Sequence, residues 1–220
     1  MQEVFWKAGG RFVDLVAPDP TGDIGIPGAQ QFIMEDVPRQ VAKYGKNTAF
    51  FSTTCALQIP LIIKVIDEGA IYPEPCCPSP FHGFGAALGI DSKIFDGSNM
   101  VFNDDWDIEE DEGRLATLYE FFREIRSVVA ARGATGRLAN WPVPMSMMFT
   151  SVAFEYAIKW INGEVPQEKG IVDYGVFAEL CEAYIYENTG ERLGVELNPL
   201  SLTGRTYNSF LMVLLDSIVF

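Results

Sequence analysis

Strand-like and helix-like segments alternate along the first two-thirds of the chain, with short connections between them. The runs "RFVDLVA" (11–17) and "TAFFS" (48–52) are rich in branched and aromatic residues, as buried strands are. Segments with apolar residues at helical spacing follow them, over 28–44 and 56–68. This alternation predicts an α/β fold in which helices cover both faces of a parallel sheet.

The rest of the chain continues in the same manner. Helical patterns are predicted over 115–132, 142–163 and 174–188. Further short strands are predicted at "GAIYPE", "TGRLANW", "GVELN" and "FLMVLLD", and a short glycine-rich helical turn at "FHGFGAALG". The acidic stretch 91–113 is predicted as a solvated linker or as a loop over a cleft.

Charge and hydropathy exclude two classes of partner for this chain. The net charge is −14, with an isoelectric point near 4.4, so the chain repels phosphate backbones and is not expected to bind nucleic acid. The most apolar segment, "LMVLLDSIVF", is too short for a membrane helix and contains Asp216. The opening "MQEVFWKAGG" has no basic start followed by an apolar stretch, so it is not expected to act as a signal peptide.

Cysteine spacing predicts neither a metal site nor a simple disulfide. The four cysteines contain no Cys-x-x-Cys pattern, and His82 is the only histidine. The adjacent Cys76 and Cys77 cannot easily pair with each other. Buried thiols are the expectation, together with the absence of a metal or other cofactor.

Three long stretches carry a family resemblance: "APDPTGDIGIPGAQQFIMEDVPRQVAKYGKNTAFFSTT", "PCCPSPFHGFGAALGI" and "GATGRLANWPVPM". They resemble a family of bacterial lipoproteins that is defined by a domain of unknown function, with a fold like that of type I periplasmic binding proteins. The similarity extends over most of the chain and is strongest from Phe12 to Ile90.

The resemblance implies a chain made of the second lobe and the returning part of the first lobe. Residues 1–141 would form the α/β second lobe, and 142–220 would cross the hinge and return to the first lobe, the earlier part of which is expected to precede Met1. The full-length family member would be extracytoplasmic and anchored by lipid. Its partners would be a small polar molecule, such as a sugar, nucleoside or amino-acid-like compound, and an ABC-type transporter.

Ligands of open parallel sheets bind beyond the carboxyl ends of the strands, so polar residues at those positions are the candidate ligand contacts. Asn140 and Trp141 are placed at the hinge by the resemblance. Turn formation is the alternative role for Asp23, and capping of the following helix is the alternative for Thr53 and Thr54. The full set of candidate ligand-binding residues is Asp19, Asp23, Thr53, Thr54, Ser79, His82, Arg137, Asn140 and Trp141.

The function expected from these observations is that of a non-enzymatic solute-binding module for transport or sensing. The effector-sensing part of a transcriptional regulator is a related alternative. A hydrolase that uses Cys55 or Cys77 with His82 is a third, although no nucleophile motif surrounds either cysteine. Fold alone does not separate these functions.

Overall fold

The computed structural model describes residues 2–90, 113–168 and 172–220. About 49% of the described chain is helical, and its named strands form two small antiparallel sheets. The helices are α1 (Gln2–Lys7), α2 (Gly25–Tyr44), α3 (Gln58–Glu68, directly after a 3-10 turn at Cys55–Leu57), α4 (Phe84–Leu88), α5 (Gly113–Ala131), α6 (Met145–Ile161) and α7 (Tyr174–Thr189). The strands are β1 (Ala139–Asn140), β2 (Val195–Leu202), β3 (Arg205–Leu215) and β4 (Ile218–Val219).

The predicted fold class, a parallel sheet covered on both faces as in type I periplasmic binding proteins, is wrong. In the described residues, β1 pairs antiparallel with β4, and β2 pairs antiparallel with β3. Parallel pairing is limited there to two isolated bridges, Ala49 with Ile71 and Tyr72 with Leu138. Each strand of a covered parallel sheet would have to be several residues long.

The physical reason lies in pairing, which apolar character alone does not guarantee. Residues 11–17 lie outside any strand, and Val16 in that run is 89% exposed. An apolar run becomes a strand only where a neighbouring segment takes up its backbone hydrogen bonds. Pro73 and Pro75 follow Tyr72 and have no backbone N–H to donate. The pairing of Tyr72 with Leu138 therefore does not extend into a longer strand.

The helices were predicted more accurately because their signal is local. The helix predicted over 115–132 is observed as α5, and the one predicted over 174–188 is observed as α7. Helix α2 begins three residues before the predicted 28–44 segment and continues through Pro38. Its inward stripe has helical spacing throughout: Ala29, Ile33, Val37 and Val41 are all buried.

Two clusters of buried side chains form the interior. The first combines α2, α3, α4 and α5 with Tyr72, Leu138 and the chain's last residues, including Phe220. The second combines α6 and α7 with partly buried residues of β2 and β3. The predicted division between 1–141 and 142–220 stays a prediction, and the acidic stretch 91–112 lies outside the described residues.

Strands β2 and β3 form a hairpin that the sequence analysis identified only as separate strand candidates. A two-residue turn joins them, and both of its residues, Thr203 and Gly204, have positive φ (48° and 75°). This is the geometry of a type I′ turn, whose twist matches that of the paired strands. Within the described residues we found no helix that combines the length and the apolarity required to cross a bilayer.

Candidate functional site

Three short extended segments, at 49–50, 71–72 and 137–139, lie side by side and run in the same direction, with Tyr72 and Leu138 buried in the first core. Phe50 N donates to Ile71 O (2.9 Å), and Tyr72 N donates to Arg137 O (2.9 Å). Ala139 N donates back to Tyr72 O (2.8 Å). Because the segments are parallel, the residues that follow each of them emerge at one edge. The loops 52–55, 73–83 and 140–144 therefore meet there, and we call this region the loop site.

Side chains from the third segment hold the long loop 73–83 in place. Trp141 Nε1 donates to Pro75 O (3.0 Å), and Asn140 Nδ2 donates to Pro80 O (2.7 Å). Asn140 is fully buried, and its Oδ1 accepts from Trp141 N (2.9 Å). The backbone N–H of Met145, at the start of α6, donates to Pro78 O (3.0 Å). The loop is thus fixed at three positions by hydrogen bonds that a flexible loop would lack.

A buried polar pair fixes the shorter loop 52–55. The hydroxyl of Tyr72 donates to Gln58 Oε1, and both residues are fully buried. Gln58 Nε2 in turn donates to Ser52 O (3.1 Å) and to Thr54 O (3.3 Å). Buried polar groups need such partners, so Gln58 holds the backbone directly before Cys55 in a defined position.

Close backbone approach explains why glycine stands at position 83. Gly83 has φ +82°, and a Cβ there would lie 3.0 Å from Gln58 Cβ and 3.1 Å from Ile62 Cδ1. A larger residue would push the loop away from α3. Glycine at position 83 therefore keeps loop 73–83 close to α3.

Three thiols and one imidazole meet in the loop site. Cys55 Sγ lies 3.1 Å from Cys77 Sγ and 3.7 Å from Cys76 Sγ. Cys76 Sγ lies 3.9 Å from Cys77 Sγ. One ring nitrogen of His82 joins them, and the four ligand atoms all lie within 4.8 Å of one another. We call these residues the Cys/His cluster.

Two thiols of the cluster, Cys76 and Cys77, have a raised pKa. The Cys55 thiol, hydrogen-bonded to Cys77, is the main cause that raises the pKa of Cys77 to about 12, and partial burial adds to it. Burial is the main cause that raises the pKa of Cys76. Burial also raises the pKa of Glu74, in the same loop. Electrostatic repulsion from Cys76 makes a smaller contribution to the raised pKa of Cys77.

The buried imidazole nitrogen of the cluster has no internal partner. In the part of the chain that the structure describes, His82 Nε2 accepts or donates no hydrogen bond. The backbone of His82 is anchored, since its N–H donates to Ser79 O (3.2 Å). Ser79 N donates to Cys77 O (2.8 Å), so Ser79 shapes the turn that carries the imidazole.

Of the other predicted contacts, Asp19 and Asp23 lie on the turn before α2, whereas Thr54 lies in the loop site. Asp19 Oδ1 accepts from Thr21 N and from Thr21 Oγ1 (both 2.8 Å), and the backbone bond lowers the pKa of Asp19. Asp19 thus stabilises its own exposed turn, and Asp23 is exposed on the same turn. Thr54 N donates to Ser52 Oγ (3.1 Å) within the loop site.

Arg137 lies at the beginning of the third extended segment, at the end that is remote from the loop site. Its guanidinium donates to Lys46 O (3.1 Å) and to Asn47 Oδ1. These partners precede the first extended segment, whereas Trp141 follows the third. Four residues of extended chain span about 13 Å, so Arg137 and Trp141 lie at opposite ends.

Cys76 and Gln58 were not proposed for any site from the sequence, and Cys55 and Cys77 were proposed only for the hydrolase alternative, together with His82. Residues adjacent to the cysteines, Thr53, Thr54 and Ser79, were selected because they follow predicted strands. The same argument applied to Cys55, Cys76 and Cys77 would have placed the thiols together. Metal motifs were sought as short local spacings, and this cluster joins residues 21 and 22 positions apart.

The fold belongs to a class represented among solved structures. A crystal structure from Clostridium difficile 630, described as that of a "Putative transcriptional regulator", matches with a TM-score of 0.72 and 21% identity. The match covers 99% of this chain and 53% of the other, so this chain spans about half the length of that protein. At this identity the likeness shows a shared fold.

The family follows from the sequence. The family model described as "Protein of unknown function (DUF3798)" matches residues 1–110, half of the chain, and the chain therefore belongs to that family. The prediction of a family defined by a domain of unknown function is confirmed, whereas its description as a lipoprotein family is not. No match was found among curated proteins.

Proposed function

We propose that this chain is the ligand-sensing part of a regulatory protein and that it binds its ligand at the loop site without transforming it. One observation carries the proposal: three parallel segments end at a single edge, and buried side chains fix the loops that meet there. Such preorganisation favours binding, since the loops lose little freedom when a ligand arrives. This chain shares its fold with the Clostridium difficile structure described as that of a "Putative transcriptional regulator", which supports this proposal.

The thiol chemistry supports binding over catalysis. A cysteine nucleophile needs a lowered pKa or an adjacent general base that removes its proton. Cys77 has the opposite property, with a pKa raised to about 12. Its hydrogen-bonded neighbour is another thiol, Cys55, which is not a base. The imidazole of His82 lies in the same cluster, but within the described residues its Nε2 makes no hydrogen bond to a thiol.

The hydrogen bonds of the loop site connect the proposed ligand-binding loop to helix α6. Loop 73–83 is bonded to Trp141 and to the first turn of α6 through Met145. A ligand that moves this loop therefore also moves the beginning of α6. In a transcriptional regulator with this net charge of −14, another part of the protein would make the DNA contacts.

The expectations that came only from the lipoprotein resemblance stay predictions. They are the small polar ligand, the ABC-type transporter and the lipid-anchored location outside the cytoplasm. Neither comparison names a solute or a transporter.

Hydrogen–deuterium exchange of the chain, with and without members of a ligand panel, tests the proposal. The panel contains zinc chloride, sugars, nucleosides and amino acids. A true ligand should slow exchange in residues 52–58 and 73–83 and at the start of α6, and Asn140→Ala should weaken this effect. Asn198→Ala, in the β2–β3 hairpin, is the matched control.

Two results would overturn the proposal. In one, panel members bind but slow exchange only outside the loop site. In the other, the chain hydrolyses a chromogenic ester and Cys77→Ser abolishes turnover while leaving binding intact.

A further inference from the structure

Two of the three sulfur–sulfur separations within the Cys/His cluster match those of a mononuclear tetrahedral site, and the Cys55–Cys77 separation is shorter by about 0.7 Å. In such a site, a Zn–S distance of about 2.3 Å places two sulfur ligands about 3.8 Å apart. The three Sγ–Sγ distances here are 3.1, 3.7 and 3.9 Å. Three thiolates and one imidazole are an established ligand set for structural zinc.

The adjacent cysteines are compatible with a shared ion. The sequence spacing argued against Cys76 and Cys77 as a pair, because neighbouring residues cannot easily form a disulfide. A metal ion poses a different requirement, since it needs the two sulfur atoms at a tetrahedral edge and not in bonding contact. Their separation of 3.9 Å meets that requirement.

The protein positions each ligand before any ion arrives. Cys55 opens the 3-10 turn whose preceding backbone is held by Gln58. Cys76 and Cys77 lie between Pro75 and Pro78, whose carbonyl oxygens are bonded to Trp141 and Met145. Outer hydrogen bonds of this kind fix ligand orientation in metal sites.

The cluster also contains unmet bonding capacity. His82 Nε2 is buried and has no partner within the described residues, and a buried polar atom without a partner is costly. The thiols offer each other only weak S–H···S contacts. A cation would supply a strong partner to the thiols and the imidazole together.

We infer that Cys55, Cys76, Cys77 and His82 form a closed four-ligand site for a thiophilic divalent ion, with Zn²⁺ as the expected occupant. The assignment rests on the proposed sensing role, because it names the ligand of that same loop site. Binding would release the three thiol protons to solvent and leave three thiolates and a neutral imidazole on the ion. Soft sulfur ligands also select against Mg²⁺ and Ca²⁺, which prefer oxygen.

Metal binding by the complete 220-residue chain, reduced and stripped with a chelator, tests the inference. Zn²⁺ should bind with one equivalent per chain, measured by competition with a chromophoric chelator. Co²⁺ should give a thiolate charge-transfer band and the intense visible bands of tetrahedral geometry. Mg²⁺ should not compete.

Variants separate the cluster from incidental thiol binding. Cys55→Ser, Cys77→Ser and His82→Gln should each weaken Zn²⁺ binding more than about 100-fold, beyond what outer-shell changes cause. Cys181→Ala is the matched control, because that thiol is buried in the second core and its affinity effect should be under about 2-fold. Circular dichroism confirms that each variant is folded.

Each other outcome has a defined meaning. The inference fails if the reduced, folded wild-type chain binds no Zn²⁺, or if binding survives both Cys55→Ser and His82→Gln. It also fails if the isolated protein contains a Cys55–Cys77 disulfide and, once reduced, still binds no metal. If a sugar or nucleoside from the panel slows exchange at the loop site and zinc does not, the proposed sensing role stands and the metal-site inference fails. If zinc binds through the cluster but does not slow hydrogen exchange at the start of α6, the metal-site inference stands and the proposed sensing role fails.

Discussion

Replacing Tyr72 by phenylalanine removes one hydroxyl group from the base of the loop site and leaves the ring in place. The hydroxyl donates to Gln58 Oε1, and both side chains are fully buried. After the substitution, a buried acceptor has no donor. Leaving such a group unsatisfied costs about 1–3 kcal/mol, more than the net value of an ordinary hydrogen bond. The Tyr72 ring should keep its edge-to-face contact with Phe84 at 5.6 Å.

Urea denaturation of the chelator-treated chain measures this cost directly. The free energy of unfolding should fall by about 1–3 kcal/mol, with a Tm decrease of about 2–4 °C for each kcal/mol. Tyr119→Phe is the matched control, since Tyr119 is 55% exposed and its hydroxyl can be solvated. Equal losses in Tyr72→Phe and Tyr119→Phe would refute the reasoning.

Gln58 allows the pair to be tested as a unit. Gln58→Met removes the acceptor but also the donor to Ser52 O and Thr54 O, so it should cost more than Tyr72→Phe. The double variant should lose less than the sum of the two single variants, because no unpaired Tyr72–Gln58 partner remains. Additive losses would mean that the two side chains do not interact.

Three further predictions concern the same region. Trp141→Phe deletes the 3.0 Å bond to Pro75 O, so stability should fall by about 1 kcal/mol and exchange in loop 73–83 should become faster; unchanged exchange would contradict the anchoring role. Gly83→Ala should lower the stability of the protein more than Gly133→Ala does. Both glycines have positive φ, but only at position 83 would the new Cβ contact α3, at 3.0 Å from Gln58 Cβ. Equal decreases of Tm in thermal denaturation would show that this contact does not matter. In chelator-treated protein, the pKa of about 12 leaves Cys77 with roughly three orders of magnitude less thiolate at pH 8 than a free cysteine, so iodoacetamide should label it correspondingly slowly in mass-spectrometric time courses. Because this pKa lies above the unfolded value of about 8.5, the associated stability is fully present below pH 8.5 and is lost as the pH rises towards 12; Cys77→Ser should remove this part of the pH dependence.

Local patterns predicted the helices, and non-local pairing decided the rest of the fold. Helix α7 has an N-cap, Asp173, that accepts from Val176 N, and it ends at the left-handed Gly190. Both signals directly flank the helix in the sequence. The run at 11–17 has equally strong strand character but lies outside any strand, because strand formation depends on partners far away in sequence.

The candidate site shows the same division. Asn140 and Trp141 were selected from the sequence as ligand contacts, and the structure shows that their polar groups hold loop 73–83. Both residues lie where the three loops meet, and their predicted contact with a ligand stays a prediction. The sequence did not indicate which side chains bind each other there. That distinction depends on which carbonyl groups the folded loop presents, and single residues do not encode it locally.

Zinc K-edge X-ray absorption of the zinc-loaded 220-residue chain measures the coordination shell itself and thereby tests the central claim most directly. We predict three sulfur atoms at about 2.3 Å and one nitrogen at about 2.0–2.1 Å, with one sulfur lost in Cys55→Ser and the shell unchanged in Cys181→Ala. A shell of oxygen and nitrogen alone, or one that is identical in wild type and Cys55→Ser, would contradict the Cys/His cluster as the binding site.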